Sequence, residues 1–332
     1  MGRSIRYEGY MISKESLIMS SNKTGFRAEI LEKVIRLMDL LNAIFADEFL
    51  RTRLVLKGGT ALNLFYFDLP RLSIDIDLNY IGSIEREQML FDKPKILSTI
   101  DKICQAKEYR NLRQPSEHAG GKWILGYKSE LIRQGQLELD LNFIFRVSLW
   151  ELNILNSIKI GNYQAKGIPI LEYNDLIGGK LAALFSRHKS RDLFDIYTIF
   201  TSARTLNREK TKLAFLIYGA CAKIDLRKIS LDHIDFEAND LKNMLLPVLR
   251  VQEWQETKNL KTWATKLITI CKDNLIDLIK FNSNELSFLT NIIEYGKIMP
   301  ELITQDETLV KAIKEHPVLL WKAKNVNEYS HS

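Results

Sequence analysis

The chain has 332 residues, 46% of them hydrophobic and 27% charged, with a net charge of +6. This composition excludes an intrinsically disordered chain, and no run of 18 apolar residues proposes a transmembrane helix. The N-terminus, MGRSIRYEGYMISKES, lacks the apolar block of a secretory leader, so the cytoplasm is the expected compartment and no membrane is expected as a partner. Cys104, Cys221 and Cys271 are far apart and read as reduced thiols, and the positive charge is compatible with a polyanionic partner such as RNA.

From Gly25 to Leu50, apolar residues at Ile30, Leu31, Val34, Ile35, Met38, Leu41, Ile44 and Phe45 predict a long amphipathic helix. Residues 52–57 form a short β-rich run that ends at Gly58 and Gly59, after which TALNLFYF resumes helical spacing. The sequence thus reads strand, glycine turn, helix. Next, RLSIDIDLNYI alternates strictly, with Leu72, Ile74, Ile76 and Leu78 on one face and Ser73, Asp75, Asp77 and Asn79 on the other. A helix is predicted over 85–107 and a polar, Gly-containing stretch over 114–121. A second alternating strand, GQLELDLNFIFR, sets Leu137, Leu139, Leu141 and Phe143 against Glu138, Asp140 and Asn142. From about Asp175 to Leu320 the pattern is mostly helical, with Asn174 or Asp175 as the expected cap of the first helix. The fold class reads as α+β first and all-α second, with 1–170 as an N-terminal core and 171–332 as a helical C-terminal domain.

Residues i and i+2 of a strand share a face, so Asp75 and Asp77 project side by side and call for a cation between them. A divalent metal held by carboxylates and phosphate oxygens answers that need, and Asp140 is the natural third carboxylate. A solvent-facing acidic edge would carry the same pair. The Gly58-Gly59-Thr60 turn favours the metal reading, because free N–H groups at a helix start bind phosphate.

In NDLIGGKLAALFSRHKSRDLFDIYTIF, Leu176, Ile177, Leu181, Leu184 and Phe185 form an apolar stripe with Lys180 inside it. Either its ammonium snorkels to the edge or it meets a carboxylate or a phosphate. Arg187, His188, Lys189 and Arg191 form a compact basic loop, and Asp192 and Asp195 lie one turn apart beyond it. His188 has no second His or Cys at ligand spacing and reads as part of the basic patch rather than as a metal ligand.

The segments LKGGTALNLFYFDLPRLSIDIDL, LELDLNF and DLIGGKLAALFSRHKSRDLFDIY resemble the AbiEii/AbiGii family of nucleotidyltransferase toxins, which includes the MenT toxins. The resemblance is specific over roughly residues 25–200. It implies a polymerase-β-like core, a small mixed sheet with flanking helices. It also implies transfer of a nucleotide from a nucleoside triphosphate, as the toxin of a toxin–antitoxin or abortive-infection system. Transfer RNA 3′ ends are the acceptors in the MenT branch, and GTP is the proposed ligand in the AbiEii branch. By this resemblance Asp75 and Asp77 match the acid pair, Asp140 the third acid, Lys180 the helical lysine and Asp192 the acid of the RD motif, with the choice between Asp192 and Asp195 open. Thr60 stands where Gly-Ser is more usual in nucleotidyltransferases.

The expected machinery is Mg2+ (or Mn2+) on Asp75, Asp77 and Asp140, with Gly58, Gly59, Thr60, Arg71 and Ser73 around the phosphates. Lys180 and Asp192 are the remaining catalytic candidates. The expected partners are a nucleoside triphosphate, an RNA acceptor such as tRNA, and a cognate antitoxin. Two alternatives are a non-catalytic nucleotide- or RNA-binding protein and a small-molecule nucleotidyltransferase on the same scaffold.

Overall fold

The computed structural model describes residues 12–115, 119–255 and 259–329. Most of the stretch read above for a leader, and residues 116–118 of the Gly-containing stretch, lie outside the described residues.

Two helices, α1 (Lys14–Thr24) and α2 (Ala28–Ala46), lead in, separated by Gly25 in the left-handed region at φ 77°. Helix α2 buries the stripe that its sequence spacing predicts, including Leu31, Val34, Ile35 and Met38. A single turn, α3 (Glu48–Arg51), precedes β1 (Leu54–Lys57), and α4 (Gly58–Ala61) runs straight into a π-helical turn over Leu62–Tyr66. Strand β2 (Asp75–Tyr80) and helix α5 (Arg86–Ala106) follow.

Among the described residues, seven strands form one sheet in the order β3-β4-β5-β2-β1-β7-β6. The strands absent from the sequence reading are β3 (Arg110–Arg113), β4 (Gly120–Tyr127), β6 (Asn153–Leu155) and β7 (Ile168–Ile170). Strand β5 (Gly135–Asn142) pairs parallel with β2, while β1 pairs antiparallel with β2 and parallel with β7. Strands β3 and β4 pair antiparallel, and the last two residues of the 114–121 stretch, Gly120 and Gly121, open β4.

Parallel pairing of β2 and β5 in register puts Asp75 beside Glu138, Asp77 beside Asp140 and Asn79 beside Asn142. Their apolar partners, Ile76, Leu78, Leu137, Leu139 and Leu141, are fully buried on the opposite face. Helices α6 (Tyr173–Arg187) and α7 (Ser190–Thr201) reach the polar face through Lys180, Arg187 and Arg191, and α8 (Arg208–Cys221) packs on α6. Further helices over Leu260–Leu275, Ser283–Tyr295, Glu307–Lys314 and Pro317–Tyr329 complete the chain. The α+β expectation holds. Among the described residues no helix is long and apolar enough to cross a membrane.

The cap of α6 is Glu172 rather than Asn174 or Asp175. Its carboxylate accepts from the backbone N–H of Asn174 at 2.6 Å and of Asp175 at 3.2 Å. Asp175 is instead fully buried, accepting from Ser148 Oγ and the Leu149 N–H, both at 3.0 Å, and from the Tyr218 hydroxyl.

Candidate active site

Strand β1 ends where the chain turns sharply, with Gly58 at φ 74°, a conformation that side-chain-bearing residues rarely adopt. A Cβ on Gly58 would also lie 2.3 Å from Asp77 Oδ2, so glycine is required both for the backbone and for the close passage of the carboxylate. A Cβ on Gly59 would lie 2.7 Å from Arg71 Nη2 and 3.1 Å from Ser73 Oγ. The turn thus sits on Arg71 and Ser73 on one side and against Asp77 on the other.

The acids form a ridge on the polar face. Burial pushes the Asp75 carboxyl above its ordinary value, and Asp77 and Glu138 add to this while Arg191, 3.4 Å away, pulls it back. Burial raises Asp140 as well, again with repulsion from Asp77. Lys33 on α2 looks toward Asp75 and Glu138, and its own burial lowers its ammonium. The cation that the Asp75–Asp77 spacing demands is supplied in part by these side chains.

Lys180 does not snorkel. It is 7% exposed and lies 2.9 Å from both Asp192 Oδ1 and Asp195 Oδ2. Burial alone would lower its ammonium, but the two carboxylates outweigh that and hold it above the usual value. Asp192 also accepts from Arg187 Nε at 2.7 Å and Nη2 at 3.1 Å. Asp195 accepts a bidentate pair from Arg71 Nε and Nη2, both at 2.7 Å, and a further bond from Asn63 Nδ2 at 3.1 Å. Burial opposes the charge on both aspartates, yet their cationic neighbours hold both below the usual carboxylate range. Three cations share two acids, so the cluster carries one excess positive charge beside the glycine turn.

These contacts revise several sequence expectations. Arg71 was expected near the phosphates, but its guanidinium is 2% exposed and committed to Asp195. Thr60 is fully buried, and its hydroxyl donates to the Asp75 carbonyl instead of facing outward. Ser73 is buried under Gly59. Sequence reasoning passed over Asn63, Arg187 and Arg191 as partners in this network. An Asn inside an apolar helical run was the available signal for the first, and the compact basic loop before Asp192 was the signal for the other two, though nothing in it named their partners.

A cavity of about 360 Å3 opens between this face and α6. Gly58, Asp77 and Asn79 line its floor, Lys180 and Arg187 one side, and Phe145, Leu176 and Tyr218 its carbon walls. Among the described residues, no three His, Cys, Asp or Glu side chains converge on one point as a complete protein-built metal site. The donor set still fits a hard divalent ion: Asp75 and Asp77 are neighbouring carboxylates with Asp140 in register, and such an ion completes its shell from phosphate and water.

Residues 39–260 match the family described as nucleotidyl transferase AbiEii toxin, type IV TA system. The chain belongs to the AbiEii family. Among solved structures it is similar to MenT4, a nucleotidyltransferase toxin from Mycobacterium tuberculosis H37Rv. The identity is 14% and the TM-score 0.56, over 92% of this chain and 98% of that one. At that identity the likeness speaks for the fold. No curated protein matches. Membership makes the AbiEii chain a nucleotidyltransferase that uses a nucleoside triphosphate, within a family whose members have cognate antitoxins and generally use a divalent metal.

Proposed function

We propose that this AbiEii chain transfers a nucleotide from a nucleoside triphosphate to an RNA acceptor, with tRNA 3′ ends as the first candidate, in the cytoplasm. The observation that carries the donor half is the meeting of Gly58, Asp77, Lys180 and Arg187 around one cavity, with Asp75 and Asp140 beside Asp77 on the sheet. The exposed basic groups beside it, Arg187 and Lys189, favour a polyanionic acceptor.

In the reaction the acceptor hydroxyl oxygen forms a bond to the α-phosphorus, the bond to the bridging oxygen of the β-phosphate breaks, and pyrophosphate leaves. The backbone N–H groups of Gly58 and Gly59 face the terminal phosphates. Thr60, Arg71 and Ser73 brace the turn from beneath. Lys180 sets a fixed positive charge beside the triphosphate, with Asp192 and Asp195 holding it in place. Mg2+ or Mn2+ on Asp75 and Asp77, with Asp140 the candidate ligand of a second ion, would neutralise phosphate charge and lower the pKa of the acceptor hydroxyl.

Purified protein incubated with each labelled triphosphate and total tRNA tests this reading. Transfer of label to RNA should require a divalent ion, cease with chelator, and fall at least roughly 100-fold in Asp75→Asn with unchanged circular dichroism. Wild-type transfer by that variant would refute the acid assignment. Label appearing only in small molecules would replace the RNA acceptor with a metabolite.

A further inference from the structure

The sheet face under the cavity changes character along its length. Two rungs of acids, Asp75 with Glu138 and Asp77 with Asp140, give way to a rung of amides, Asn79 with Asn142. Asn142 is spent: its Oδ1 accepts from the N–H groups of Ile144 at 2.8 Å and Phe145 at 2.9 Å, which holds Phe145 at the cavity wall. Asn79 is different. It is 5% exposed and lines the cavity, and among the described residues its Oδ1 has no hydrogen-bond partner.

A buried amide oxygen without a donor is costly, and such groups persist where a water, an ion or a ligand completes them; of such atoms among the described residues, Asn79 Oδ1 belongs to a residue that lines the cavity. Strand spacing places Asn79 roughly 7 Å beyond Asp77 along the same face. That is past a phosphate held at the glycine turn and within reach of the nucleoside it carries. Phe145, Leu176, Ala183 and Tyr218 give the rest of the cavity carbon surface against which a nucleoside can pack.

We propose that Asn79 is a specificity residue for the donor: its side-chain oxygen accepts a hydrogen bond from the nucleoside, from a ribose hydroxyl or a base N–H. The proposal rests on the reading of this cavity as the donor triphosphate site. Phosphates are gripped at the acid and glycine end, and the nucleoside is read at the amide end.

The test compares the full-length wild type with Asn79→Leu, which keeps the volume and removes the amide. Transfer and binding are measured with the four ribonucleoside triphosphates and their 2′-deoxy counterparts, with inorganic tripolyphosphate as the probe of the phosphate end. Preference should collapse by about tenfold while tripolyphosphate binding is retained and Tm is unchanged or raised, because an unpaired buried group has been removed. If the ribose is read, the ribo-to-deoxy ratio falls equally for all four bases. If the base is read, the ranking among the four changes and that ratio is kept. Unchanged selectivity with retained tripolyphosphate binding overturns the role of Asn79 alone. Absence of tripolyphosphate and nucleotide binding in the wild type overturns it together with the donor-site reading. Asn79→Val, a good strand former without an acceptor, replaces the Leu variant if that variant fails to fold, and is read by the same ratios.

Discussion

Asp195 joins the two parts of the site at the level of single atoms, because Arg71 from the sheet side and Lys180 from α6 meet on its two oxygens. A buried charge pair adds little over an apolar pair, but breaking one strands its partner. Asp195→Asn is therefore expected to destabilise the fold by about 3–5 kcal/mol in denaturant titration, because the buried Arg71 guanidinium loses its charge partner. The pH dependence has a definite sign. The carboxyl of Asp195 is held low in the folded protein, so its contribution is complete above the unfolded carboxylate value and is lost as pH falls through the folded one. The stability gap between wild type and Asp195→Asn should thus be constant at neutral pH and shrink below about pH 4. A gap that widened on acidification would contradict the pairing. Sequence spacing marked Lys180 as a lysine on an apolar stripe needing an explanation, and left its partner open. It also left the roles of Asp192 and Asp195 undivided, and the structure shows why: both hold Lys180, and they differ in their second cation, Arg187 for one and Arg71 for the other.

At the scale of elements, α6 shows how one helix serves packing and site with adjacent glycines. A Cβ on Gly178 would lie 2.3 Å from the Cβ of Ala214, so this glycine lets α6 and α8 approach closely. Gly179, the next residue, points a Cβ into open space at the cavity wall. Gly179→Ala should raise stability by about 0.5–1 kcal/mol, the ordinary gain for replacing a helix-interior glycine. Gly179→Phe should fill the cavity and weaken nucleotide binding by at least about tenfold, read by calorimetric titration, with little change in Tm. Undiminished binding by the Phe variant would show that the nucleotide lies elsewhere. The elements legible in sequence were those with a sustained period, α2, α5, α6, β2 and β5, together with β1 and the helical turn after it, which the Gly58-Gly59 pair marks off. Strands β3, β6 and β7 were not, because each has only three or four residues, too short for alternation to show, and no such marker beside it. Strand β4 was hidden by its opening Gly120-Gly121, which reads as loop although Gly120 passes so close to Leu141 that a Cβ would lie 1.9 Å from its carbonyl oxygen.

For the whole molecule, the division at residue 170 concerns where site residues come from. One continuous apolar cluster runs from Leu17 on α1 to Leu319 near the C-terminus. Backbone bonds cross the division as well, from the Leu72 N–H to the Val248 carbonyl and from the Val251 N–H to the Gly25 carbonyl, both 2.8 Å. We propose that 1–170 and 171–332 are functional halves of one cooperative unit. Scanning calorimetry should then show a single transition, with calorimetric and van't Hoff enthalpies in agreement. Two resolved transitions would establish independently folding domains instead.

Periodicity acts over a few residues, so the chain by itself determined which side chains share a face: Asp75 with Asp77 and Asn79, and Lys180 among the leucines of its stripe. The family resemblance resided in those same local patterns. Pairing across long separations follows no local period. Arg71 and Asp195 meet across 124 residues, Asn63 and Asp195 across 132, and Asp77 and Asp140 become neighbours only through the register of two parallel strands. Only the tertiary structure decided that Arg71 braces the glycine turn from below and that Asn79 lines the cavity with an Oδ1 left without a partner among the described residues, because burial and hydrogen-bond satisfaction depend on what the rest of the chain brings alongside.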